Sequence, residues 1–108
     1  MTEFATQTTT DGAVHLILDG PMTIYNAGEI KAQLMTGLQN ASILELDLSH
    51  VGEMDTAGFQ LLVMAKRESQ RHGHTLRIVA HSPAVREVID FYNMDAFFGD
   101  PMVFPADH

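Results

Sequence analysis

The spacing of apolar and polar positions changes period several times along this chain, and each change marks an element. Val14–Asp19 is rich in β-formers and is closed by Gly20-Pro21, a strong stop. A first strand is expected around Phe4–Thr8, and the Asp11-Gly12 pair between the two segments suggests an antiparallel hairpin at a sheet edge. Next, Ile24, Ala27, Ile30, Leu34 and Leu38 recur at spacings of three and four, with Met35 alongside and Glu29, Lys31 and Gln33 off the stripe. That predicts a surface helix of about four turns with Asn26 as N-cap and Asn40 as its stop. Ile43–Leu48 alternates apolar and acidic residues, so Leu44, Leu46 and Leu48 point inward and Glu45 and Asp47 outward if helices cover one face.

The remainder continues the alternation. After a loop over Ser49–Met54, a helix is predicted over Thr56–His72, with Phe59, Leu62, Val63 and Lys66 sharing a face and Gly73 behind it. Thr75–Ala80 reads as a strand. Ser82 then caps a helix that has Pro83 at its first position and Val85, Val88 and Ile89 as its stripe. Phe91–Pro105 is apolar and irregular, ending in a short strand at Met102–Phe104. The order is β-β-α-β-α-β-α-β in one domain over residues 1–108, which implies an α/β fold with a mixed sheet of 4–5 strands and helices mainly on one face.

Composition narrows the chemistry. Apolar residues make up 45% of the chain and no low-complexity run occurs, as expected of a folded domain. Six Lys and Arg against fourteen acidic residues leave a formal charge of −8, which argues against nucleic acid or anionic lipid as a partner. There are no cysteines, so disulfides and thiolate chemistry are excluded, and a reducing compartment fits. The opening residues lack the basic and apolar regions of a signal peptide, and no apolar run approaches membrane-spanning length. A cytoplasmic protein that binds other proteins is the expectation.

Enzyme signatures are weak. Asp47, Ser49 and His50 contain triad residue types but lie too close in sequence on a strand end, and no Gly-x-Ser-x-Gly elbow is present. His72, His74 and His81 sit at turns without Asp or Cys spacing that suits a metal. No glycine-rich nucleotide loop occurs. The reading is therefore of a non-enzymatic protein with no cofactor and no metal.

The stretch Leu46–Leu62 carries the most information. It joins a strand end, an acidic loop and a helix start, with Asp55-Thr56 at the junction and Gly58 two residues on. Together with Leu18–Gly20, Ser82–Arg86 and Phe97-Phe98, this pattern resembles the STAS domain. That family includes anti-sigma-factor antagonists, domains of sulphate transporters and subunits of lipid-transport ABC complexes. The resemblance implies a bacterial signalling protein whose partner is an anti-sigma factor that is also a serine/threonine kinase. It also implies that Thr56, standing where Ser is commoner, is the phosphorylated residue. The same resemblance places partner contacts at Glu53, Met54, Asp55 and Gly58, and in the loop after the second strand at Thr23, Tyr25 and Asn26. With no long apolar segment, a stand-alone domain is expected rather than a transporter tail. By position alone Asp55 and Thr56 cap a helix, as such residues commonly do; the resemblance favours a switch. A constitutive STAS subunit of a lipid-transport or chemotaxis-type complex is the alternative. Met54 is balanced between an exposed contact and core filling.

Overall fold

The computed structural model describes residues 3–8, 13–94 and 97. Among them the order is β1 (Glu3–Thr8), β2 (Val14–Asp19), α1 (Ala27–Asn40), β3 (Ile43–His50), α2 (Thr56–Arg71), β4 (Thr75–His81) and α3 (Pro83–Phe91). The strands lie side by side in chain order in one sheet. β1 runs antiparallel to β2, whereas β2–β3 and β3–β4 are parallel. The antiparallel pair follows from a short connection, and the parallel pairs from the helical crossovers that separate their strands. The expected turn at Asp11-Gly12 and the final strand at Met102–Phe104 lie outside the described residues.

The alternation in β3 determines how the sheet is covered. Leu44, Leu46 and Leu48 are fully buried, while Glu45 and Asp47 are half-buried on the opposite face. Leu16, Leu18 and Leu76 join the inward set, and Ile30, Leu34, Phe59, Leu62, Val85 and Ile89 supply the helical side of the same core. On the outward face, Glu45 bridges its neighbours: the His15 ring lies 3.5 Å and the Arg77 guanidinium 4.0 Å from its carboxylate. Opposite charges on adjacent strands are the favourable pairing for a wet sheet face.

Two details depart from the sequence pattern. Ile24 fits the spacing of α1 but lies outside it and is 63% exposed. The chain turns at Thr23–Asn26 before entering the helix, with the Asn26 N–H donating to the Thr23 carbonyl at 3.0 Å. Asn26 occupies the N-cap position, yet its side chain caps nothing and instead accepts from the Thr23 hydroxyl at 2.9 Å. Lys66 does belong to the buried face of α2, because its ammonium reaches the Leu76 carbonyl at 3.0 Å, so the aliphatic stem is buried while the charge keeps a partner.

Both later helices end in the same way. Beyond α2, Gly73 at φ +71° is followed by His74, whose N–H reaches back to Ser69 O at 2.8 Å. Beyond α3, Asn93 at φ +55° precedes Met94, whose N–H reaches Ile89 O at 3.0 Å. These are Schellman closures with a left-handed C′ residue, which Gly and Asn best tolerate. α3 begins on Ser82, whose hydroxyl accepts from Val85 N at 3.2 Å and donates to the Val51 carbonyl. Ser82→Ala removes both bonds and is expected to cost about 1 kcal/mol, read as a lower urea midpoint at unchanged slope.

Candidate functional site

The junction between β3 and α2 is built by two loops that run together. Past β2, Gly20 N donates to His50 O at 3.3 Å, Met22 N to Glu53 O at 2.8 Å, and Asp55 N returns to Met22 O at 3.2 Å. Met22 and Met54 form a parallel bridge, so the β2–β3 pairing continues beyond the strand ends. Both methionines are buried. Met54 is thus chiefly core filling, and the little of it left uncovered faces the groove beside Thr56.

Asp55 fastens the assembly. Its backbone is extended, and one carboxylate oxygen accepts from Gly58 N at 3.0 Å, capping α2. The other accepts from Ile24 N at 2.9 Å, thirty-one residues away in sequence. Burial pushes its pKa upward, but the N–H donors of Gly58, Ile24 and Ala57 outweigh that and hold the carboxyl below its ordinary range. Gly58 is required by the approach of the second loop. A β-carbon there would overlap the Met22 carbonyl oxygen and lie 2.9 Å from its carbon.

Against this fixed frame Thr56 is exposed. It occupies the first position of α2, and its hydroxyl lies 3.3 Å from the Tyr92 hydroxyl. The Tyr92 ring stacks on Phe59 at 4.4 Å between centroids and 16° between planes, and Phe91 meets Tyr92 edge-on at 5.0 Å. Between α2 and α3 an open groove of about 390 Å³ is lined by Met54, Asp55, Thr56, Glu87, Val88, Phe91 and Tyr92. Phe91 is 77% exposed on its rim.

The residues expected to meet a partner divide into two sets. Thr23, Met54 and Gly58 are buried and shape the site from beneath. Glu53 and Tyr25 are exposed, Tyr25 by 94%, and Asp55 and Asn26 are half-buried. Glu87, Phe91 and Tyr92 were not among the expected site residues, because the α3 end reaches Thr56 only through the tertiary fold. The sequence signal available for them was an adjacent aromatic pair where α3 ends, with nowhere on the stripe to bury it.

Asp47, Ser49 and His50 come within hydrogen-bond range, but in the wrong order for a triad. Ser49 Oγ donates to Asp47 Oδ1 at 2.6 Å and lies 3.3 Å from His50 Nδ1. The serine sits between the other two, whereas nucleophile activation needs the histidine there. The Ser49 donors hold the Asp47 carboxyl below its usual range, helped by His50 and His15. His72 instead pairs with Glu68, His74 with Leu38 O, and His81 with Arg86; no cluster that could hold a metal occurs among the described residues. Nor is any described helix long and apolar enough to cross a membrane.

This combination of a mixed sheet, a bridged pair of loops and an Asp-capped helix bearing an exposed hydroxyl is that of a STAS domain. The family model described as "Mlab, STAS domain" matches residues 5–103, and the chain belongs to that family. An anti-sigma factor antagonist from Mycobacterium paratuberculosis is similar at a TM-score of 0.80, with 19% identity over 91% of this chain and 83% of its own. The Bacillus cell fate determinant SpoIIAA in its phosphorylated form gives 0.69 and 19%, covering 91% of this chain and 89% of that one. The STAS domain of an antisigma-factor antagonist from Rhodobacter sphaeroides gives 0.63 and 21%, over 73% and 86%. At these identities the likeness is one of fold.

Proposed function

We propose that this protein is an anti-sigma-factor antagonist that binds a kinase-type anti-sigma factor and is switched by phosphorylation of Thr56. The observation that carries the proposal is the exposed Thr56 hydroxyl on a junction whose neighbours are all fixed by backbone bonds. In the switching step the terminal phosphoryl group of a nucleoside triphosphate passes to Thr56 Oγ1. The hydroxyl proton is lost and the nucleoside diphosphate leaves. The phosphate adds a charge of about −1.5 to −2 beside Asp55 and Glu87. A partner seated on unmodified Thr56 would then have to bury a dianion among carboxylates, and it dissociates. The helix N-terminus partly offsets the charge, so the domain itself stays folded. SpoIIAA, of the same fold, has been seen in a phosphorylated form, which supports a modifiable site on this scaffold.

The test is partner capture by the full chain carrying Thr56 or phosphothreonine at position 56. Recovery of the anti-sigma factor should fall at least tenfold on modification, about 1.4 kcal/mol of binding free energy; equal recovery would end the proposal. A second reading has its own support. The Thr56 hydroxyl already has a partner in Tyr92, and the matching family description names Mlab. On that reading the domain is a constitutive STAS subunit, for example of a lipid-transport or chemotaxis-type complex, and Thr56 is a contact that is never modified. Intact mass of the protein from its native host separates the two, since a constitutive subunit shows no phosphorylated species under any growth condition.

A further inference from the structure

Taking Thr56 as the modified residue, the phosphate is added at the edge of the groove that Thr56 lines. Asp55 and Glu87 line it with carboxylates, which accept hydrogen bonds and repel an anion, and no Lys or Arg is among its described lining residues. Tyr92 brings an O–H into the same space, 3.3 Å from Thr56 Oγ1. We propose that Tyr92 receives the phosphate: its hydroxyl, now paired with that of Thr56, donates to a phosphoryl oxygen once Thr56 is modified.

Three observations carry this. First, the Tyr92 ring is fixed, stacked on Phe59, while its backbone N–H donates to Val88 O at 3.2 Å and the Schellman closure follows at Asn93 and Met94. The hydroxyl, 3.3 Å from Oγ1, is therefore held within reach of the phosphoryl oxygens, which lie two bonds beyond Oγ1. Second, the unmodified pair can share its proton either way, because each oxygen is both donor and acceptor. After phosphorylation Oγ1 is an ester oxygen without a proton, so Tyr92 can serve only as donor. Third, a phosphate dianion is a far better acceptor than a hydroxyl, and O–H donation to it is charge-assisted. The exchange replaces a neutral bond with a stronger one and leaves the Phe59–Tyr92 stack intact. Tyr92 thus places the new charge over the groove without altering the shape of the domain.

The experiment is a ³¹P NMR pH titration of the full chain carrying phosphothreonine at 56, with Tyr92 retained or replaced in Tyr92→Phe. Donation to the dianion favours the more charged form, so losing the donor should raise the midpoint of the second phosphate ionisation by about half a pH unit. Asp55 and Glu87 push the midpoint upward in both proteins and cancel in the difference. Phenylalanine keeps the ring on Phe59, and a thermal melt shows whether the fold is retained. Glu87→Gln, measured in the Tyr92 background, shows whether the phosphate senses the groove: a lowered midpoint is expected. Coincident midpoints with and without the Tyr92 hydroxyl overturn the proposal, whatever Glu87→Gln does. Because the phosphate is installed during synthesis, the result does not depend on a native kinase. Failure of the switch itself would be read separately, from the mass of the native protein.

Discussion

Replacing Gly58 with alanine is expected to destabilise the domain by about 3 kcal/mol, a loss that a methyl group in a helix would ordinarily not cause. The added β-carbon would overlap the Met22 carbonyl oxygen, with the Met22 carbonyl carbon at 2.9 Å and its Cβ at 3.0 Å. Most of this obstacle is backbone, so no rotamer change relieves it. Nor can the backbone withdraw freely: Met22 N is bonded to Glu53 O, Met22 O accepts from Asp55 N, and the Met22 side chain is fully buried. Either α2 shifts away from the loop after β2, or both loops separate and the bridge between Met22 and Met54 is lost. Gly28→Ala in α1 is the control, since a β-carbon there meets nothing within 4 Å and alanine is the better helix former by roughly 0.5–1 kcal/mol. Urea denaturation should therefore move the two midpoints in opposite directions. A Gly58→Ala protein as stable as the parent would mean that the loops do not pack as described.

What could be read in the sequence was whatever depended on near neighbours. The leucine–acid alternation of β3 placed Leu44, Leu46 and Leu48 inside because a strand sends successive side chains to opposite faces. Asp55 was readable as a cap because its bond to Gly58 spans three residues. Ile24 misled for the complementary reason: it satisfies a helical spacing, but the chain has not yet entered the helix, and the Thr23–Asn26 turn leaves it exposed. The second bond of Asp55, to Ile24 N, and the approach of Tyr92 to Thr56 join residues 31 and 36 positions apart. No local period encodes such meetings; they follow from the parallel register of β2 on β3 and from Ser82, which ties the start of α3 to Val51. The candidate site was therefore legible as a helix start, whereas its groove and its aromatic wall were not.

Asp55→Ala is expected to cost about 2 kcal/mol near neutral pH, made up of a lost N-cap and a lost bond across the two loops. Asp55→Asn should fall between this variant and the parent. Its carbonyl oxygen can still accept from Gly58 N, but an amide NH₂ then faces Ile24 N–H, donor against donor. The two substitutions thus separate the cap from the inter-loop bond. The dependence on pH has a definite sign. The folded-state carboxyl is held below its ordinary range despite the burial that opposes this, so the folded protein favours the ionised form. Its contribution is fully present above the unfolded carboxyl pKa of about 4, and is lost as pH falls through the lower folded value. The stability difference between parent and Asp55→Ala should accordingly be flat from neutral pH down to roughly 5, then narrow in more acid solution. Asp47 is also held low, by Ser49 and nearby histidines, but it is present in both proteins and drops out of the difference. Denaturant midpoints for the pair across this range give the answer directly. A gap that stays constant into acid would show that the Asp55 charge contributes nothing, and that shape alone holds Ile24 against Asp55.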